Sequence, residues 1–214
     1  LRTYQVYRFD IKEKTSTLVF EEADETFEAF IYQNLAKNFI FIISNSTLST
    51  EVRYLKADQP LDKFKTFLKR EKEHEYEVYD GDDRFYVRSN WKAPNFRLFE
   101  TSLTTTDKSK WTEIIPHRSD YYLEDLTVFK NHLVMSQKFE GLDQFLVKNR
   151  NKKDTGYLIP FTDKAYTAET GSQGEYDSKL FRYVFESMRQ PDQTFDYDLT
   201  SKEKVLKKER DIPN

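Results

Sequence analysis

The chain has 214 residues, of which 37% are hydrophobic, 33% charged and 16% aromatic, with no cysteine and a net charge of −3 from 34 basic and 37 acidic side chains. Its longest apolar stretch, residues 39–43, is far short of the roughly 20 residues of a membrane-spanning helix, and near-balanced charge offers phosphate no basic surface, so no membrane and no nucleic acid is expected as a partner. The lack of cysteine excludes a disulfide framework, a thiolate metal site and a cysteine nucleophile, and it suits a reducing compartment, so the expected location is cytoplasmic.

In chain order, residues 4–7 and 18–20 read as two strands. Because residues 1–6 already alternate like a strand, position 1 is expected to be a cut inside a longer protein. A full unit follows, with runs rich in Phe, Tyr, Val, Ile and Thr at 27–32, 40–43, 52–55 and 65–67. The next has them at 75–79, 85–87, 96–99 and 112–115; a third at 123–129, 133–135, 145–147 and 157–159; and a fourth at 165–168, 181–184, 195–197 and 205–207. Corresponding runs recur about every 44–50 residues, within the range of roughly 40–50 for propeller blades. Between them lie turn-forming clusters such as Asp80-Gly81-Asp82-Asp83, Lys130-Asn131, residues 149–156 and Thr200-Ser201-Lys202. Residues 61–70, 121–130 and 202–210 could pass as short helices, but each falls inside the period and reads as strand.

Repeating units of four short antiparallel strands define an all-β chain, a β-propeller of four-stranded blades. Residues 1–26 hold only the second half of a blade and residues 27–210 four further blades, so the propeller is partial, with about four and a half blades. The open blade edges are expected to be covered by something outside this sequence or, by self-association, by another copy.

Candidate chemistry is sparse. The serine elbow of an α/β-hydrolase, G-x-S-x-G, does not occur, and Gly171-Ser172-Gln173-Gly174 has the wrong spacing and reads as a turn. His74, His117 and His132 fall at strand ends of different units and read as ordinary surface or turn positions rather than bases or ligands. Glu21-Glu22-Ala23-Asp24-Glu25 reads as a solvated loop, with long-range attraction of basic peptides as its functional counterpart. Asp80-Gly81-Asp82-Asp83 lacks the spacing of a calcium loop and reads as a hairpin turn. Residues 202–210 read as an exposed edge strand protected by lysines, and Trp91 and Trp111 as packing anchors. No catalytic, cofactor-binding or metal-binding residue is assigned, and no cofactor is expected.

Several phrases stand in a telling order: Leu18-Val19-Phe20-Glu21-Glu22-Ala23-Asp24-Glu25-Thr26-Phe27, Asn90-Trp91-Lys92-Ala93-Pro94-Asn95-Phe96-Arg97-Leu98, Ile114-Ile115-Pro116-His117-Arg118, Ile159-Pro160-Phe161 and Glu175-Tyr176-Asp177-Ser178. Together they resemble the propeller of the prolyl oligopeptidase family of serine peptidases, and its oligopeptidase B (protease II) branch in particular. The resemblance implies a seven-bladed propeller followed by an α/β-hydrolase domain, whose serine, aspartate and histidine cut short peptides after lysine or arginine. It makes residues 211–214, with Ile212-Pro213, the start of the hinge into that domain. The propeller would gate substrate access, and this chain alone would be inactive. Its implied partners are the missing blades, the hydrolase domain and, for the parent, short basic peptides. Two details depart from the family: Lys138 stands where an arginine is usual, and Gln173-Gly174 fits the family's loop loosely. The alternative is a non-enzymatic propeller module that binds a protein or peptide on its rim.

Overall fold

The structure, a computed structural model, describes residues 2–152 and 155–211. The expected hinge at Ile212-Pro213 lies outside the described residues. Two compact units are present, and each holds antiparallel sheets whose strands follow chain order.

The first unit comprises Leu1–Lys92 and Leu98–Ile115. It opens with a two-stranded sheet, β1 (Gln5–Asp10) and β2 (Thr15–Glu21). Asp10 shapes the turn between them, because its carboxylate accepts the amides of Lys12 and Glu13. The second sheet contains β3 (Glu28–Tyr32), β4 (Phe39–Asn45), β5 (Thr50–Lys56) and β6 (Lys65–Leu68). The third contains β7 (Tyr76–Asp80), β8 (Arg84–Ser89), β9 (Arg97–Ser102) and β10 (Thr112–Ile115).

Period-2 alternation explains how the second and third sheets pack. In β4 it sends Phe39 and Phe41 to one face and Ile42 to the other, and all three are buried, so the strand is covered on both sides. Phe85 of β8 inserts among rings from three strands of the second sheet: Phe39 at 4.9 Å, Tyr54 at 5.4 Å and Phe67 at 5.4 Å. Phe85 is fully buried, and truncating such a ring costs about 3–5 kcal/mol. Polar bonds lock the same seam. The Tyr32 hydroxyl donates to the Val78 carbonyl at 2.9 Å, and the Tyr76 hydroxyl donates to the Leu68 carbonyl while accepting the Val52 amide, both at 2.8 Å.

The second unit comprises Ala93–Arg97 and Pro116–Asn214. One sheet contains β11 (Tyr121–Val128), β12 (His132–Phe139), β13 (Leu142–Asn149) and β14 (Tyr157–Leu158). The other contains β15 (Tyr166–Thr170), β16 (Leu180–Ser187), β17 (Gln190–Asp198) and β18 (Lys204–Glu209). Between β12 and β13 the two-residue loop Glu140-Gly141 has φ of 50° and 80°, the left-handed pair that suits the twist of a tight hairpin. The two sheets meet through aromatic rings, with Phe145 4.9 Å from Phe181 and Phe161 5.4 Å from Phe185.

The predicted period is therefore present as four four-stranded sheets and one two-stranded sheet. Three local expectations are corrected. Residues 61–70 are not strand throughout: only Lys65–Leu68 pairs, and residues 60–62 form a turn. Residue 96 is not in the strand that starts at Arg97; Phe96 takes φ 63°, closes a turn by donating its amide to the Ala93 carbonyl, and buries its ring. Lys108–Lys110, given no structure by the period, forms a 3-10 turn because the Asp107 carboxylate accepts the Ser109 amide at its start.

Candidate functional site

Among the described residues the histidines stay apart, as the spacing predicts, but their surroundings differ. His117 lies in the segment after β10 and His132 opens β12, each half-buried. His74 meets the expectation of a turn position but not of a surface one. It lies at a turn but is only 4% exposed, stacked on Tyr76 with its Nε2 2.8 Å from the Ser89 hydroxyl. Burial, reinforced by the Lys108 charge and partly opposed by Glu71, pushes its imidazole down to about 4.

The acidic run departs from expectation at one residue: Glu21, Ala23, Asp24 and Glu25 are exposed as a solvated loop should be. Glu22 is buried rather than solvated, and its carboxylate meets the Arg70 guanidinium at 2.7 Å. Burial pushes its carboxyl up, but the Arg70 hydrogen bond and the Asp24 amide outweigh it and hold the group below its ordinary range. Arg70 also lies 3.5 Å from Glu51 and stacks 4.0 Å over the Phe27 ring. The run is thus part of a structural ion network in the first unit.

The remaining readings stand where the sequence put them. Asp80-Gly81-Asp82-Asp83 forms the β7–β8 turn, with the Gly81 amide donating to the Arg84 carbonyl. Burial pushes the Asp80 carboxyl up, against the amides of Asp82 and Asn38 that it accepts. Trp91 and Trp111 pack on Phe99 at 6.2 and 5.3 Å, and β18 is an exposed edge strand. The exception is Gly171-Ser172-Gln173-Gly174, read as a turn but irregular: the Gln173 side-chain nitrogen donates to the Arg182 carbonyl and its oxygen accepts the Arg182 amide, taking the place of a neighbouring strand. No group of three or more metal-ligating side chains lies together among the described residues.

One concavity went unread in the sequence. A groove of about 410 Å³ in the second unit runs between β11, β12, β13 and β15, lined by Glu124, Asp125, Asp143, Glu169, Lys138 and Tyr166 among others. The Lys138 ammonium bridges Glu124 at 2.9 Å and Asp143 at 3.2 Å, and those two bonds, Glu124 first, raise its affinity for its proton. Asp143 also accepts the Ala168 amide, and the Tyr166 hydroxyl donates to the Asp143 carbonyl, so the groove floor is anchored to both sheets. Four acidic side chains against one lysine favour a cationic occupant. The signal for the groove was weak because its residues lie on four strands spread between residues 124 and 170.

Repeated four-stranded antiparallel sheets with aromatic seams define a β-propeller domain. Residues 2–210 match the prolyl oligopeptidase N-terminal β-propeller domain. The chain belongs to that family. It is 29% identical to the uncharacterized peptidase y4sO of Sinorhizobium fredii, over 94% of this chain and 31% of that protein. It is 27% identical to Protease 2 of Moraxella lacunata, over 89% of this chain and 27% of that protein. Among solved structures, oligopeptidase B from Trypanosoma brucei with covalently bound antipain superimposes with a TM-score of 0.90, at 24% identity, over 98% of this chain and 31% of that one. The chain therefore spans about three tenths of the length of the relatives it matches.

Proposed function

We propose that this chain is the substrate-gating propeller portion of an oligopeptidase B-like serine peptidase, which cuts short peptides after lysine or arginine in the cytoplasm. The match of residues 2–210 to the peptidase propeller carries the reading. The bond-breaking serine, aspartate and histidine belong, in this reading, to an α/β-hydrolase domain of the parent protein. A propeller over such a site admits only chains thin enough to pass, which turns a general hydrolase into one for short, flexible peptides. The acidic groove at Glu124, Asp125 and Glu169 supports basic peptides as the cargo, since it would raise their local concentration.

The propeller strands of the parent are the natural partners of the first sheet. β1 pairs with β2 alone, and Tyr7, Phe9 and Leu18 are 55%, 58% and 44% exposed. Such an edge and face call for further strands. The parent protein, assayed with Arg- and Lys-containing chromogenic peptides, should turn them over and lose activity to a serine-reactive phosphonate. A parent that hydrolyses neither peptide, or an open reading frame that stops at Asn214, would instead favour a binding module.

A further inference from the structure

The seam between the second and third sheets has a feature that the gating role leaves unused. His74, just before β7, is 96% buried by its 4% exposure, and its backbone carbonyl accepts the Thr50 amide of β5 at 3.0 Å. Two residues on, Tyr76 binds Thr50 again: its amide donates to the Thr50 hydroxyl at 2.8 Å, and that hydroxyl donates to the Tyr76 carbonyl at 2.9 Å. The imidazole stacks on the Tyr76 ring with centroids 5.1 Å apart and bonds Ser89 of β8 through Nε2. Its Nδ1 is buried without a hydrogen-bond partner. Residue 74 therefore joins the start of β7 to the start of β5 through its backbone and to the end of β8 through its ring.

We infer that His74 is an acid-sensitive latch, whose protonation releases the start of β7 from β5 and loosens the seam between the two sheets. A neutral imidazole suits the site: with its proton on Nε2 it donates to Ser89, and Nδ1 keeps an unpaired lone pair. A second proton would create a buried N–H with no acceptor, a costlier defect than a bare lone pair. The neighbouring charges set the balance. Lys108, from the 3-10 turn, opposes a positive ring, while Glu71, from the loop after β6, favours it, and the two pair at 2.6 Å. The other charged groups nearby are engaged elsewhere: Glu51 of β5 with Arg53 and Arg70, Arg88 of β8 with Glu77, Glu73 with Lys72, and Glu75 with Asn90. Among the described residues each nearby carboxylate already has a partner, so an imidazolium formed in place gains no dedicated acceptor and the ring is driven out of the seam.

The test is a pH series on the intact chain by nuclear magnetic resonance. The His74 Cε1 proton should titrate well below the free-histidine value of about 6.5. Protection of the Thr50 and Tyr76 amides against hydrogen exchange, corrected for intrinsic rates, should fall about tenfold or more between pH 7 and 4.5. The His74→Gln variant, which can still bond Ser89, should lose that pH dependence. Should it fail to fold, Glu71→Gln serves instead: removing the favouring charge should lower the His74 midpoint and extend the loss of protection to lower pH, while its onset stays near the free-histidine value of about 6.5. A His74 midpoint at or above 6.5, or protection that falls equally in His74→Gln, overturns the latch.

Discussion

Arg70 Nη2 lies 2.7 Å from Glu22 Oε2, joining the start of the loop after β2 to the segment after β6. The same guanidinium stacks on Phe27, so it serves as both a charge and a flat apolar surface. Arg70→Ala should cost about 2–3 kcal/mol, less than the roughly 3–5 kcal/mol of breaking a fully buried pair, because the Arg70 side chain is 30% exposed. Arg70→Lys should recover less than half, since an ammonium neither stacks nor forks. Urea denaturation of the three proteins measures both.

Acid titration of the same pair has a definite sign. A carboxyl held below its ordinary range stabilises the fold above that range and loses the contribution as pH falls through its folded value. The stability difference between wild type and Glu22→Gln should therefore be full at pH 7 and shrink below the ordinary value of 4.5. Thermal melts at several pH values give the comparison, and a difference that grows on acidification would contradict it.

Two glycines should respond differently to alanine. Gly141 and Gly156 both have positive φ, 80° and 77°, which costs a residue with a Cβ about 1–2 kcal/mol. At Gly141 an added Cβ meets nothing within 4 Å, whereas at Gly156 it would lie 2.5 Å from the Val147 carbonyl oxygen. Gly141→Ala should stay within the backbone cost, and Gly156→Ala should exceed it clearly, as read from the denaturant midpoints.

Tyr76→Phe removes a single oxygen but strands two partners. The Val52 amide loses its acceptor and the Leu68 carbonyl its donor, in a site where Tyr76 is 1% exposed. A loss of about 1–3 kcal/mol is expected, far more than an exposed hydroxyl would give. Equal stability of the two proteins would mean that water satisfies both groups.

The chain by itself should hydrolyse no Arg- or Lys-containing chromogenic peptide, because it contains no G-x-S-x-G elbow. Robust turnover that a serine-reactive phosphonate abolishes would sink this expectation.

Much of the fold was legible because strand signals are local. Runs such as 40–43, 85–87, 133–135 and 181–184 carry the β-branched and aromatic residues of a pleated surface, and each corresponds to the second strand of a sheet, β4, β8, β12 and β16. Phe96 was misplaced because its left-handed backbone is imposed by the turn from Ala93 and by burial, neither of which leaves a mark in residue type. The acidic groove stayed hidden for a related reason: Glu124, Asp143 and Glu169 are neighbours only after strands far apart in the chain come together.

By itself the sequence determined the all-β class, the period, the strand count of each unit and the lack of an elbow serine, since all of these rest on composition and spacing along the chain. Tertiary structure alone decided which charges are structural. Glu22 and Lys72 are both charged loop residues by composition, yet packing buries Glu22 against Arg70 and leaves the Lys72 side chain 91% exposed. His74 was decided the same way, because desolvation depends on what surrounds a ring and not on which residues precede it.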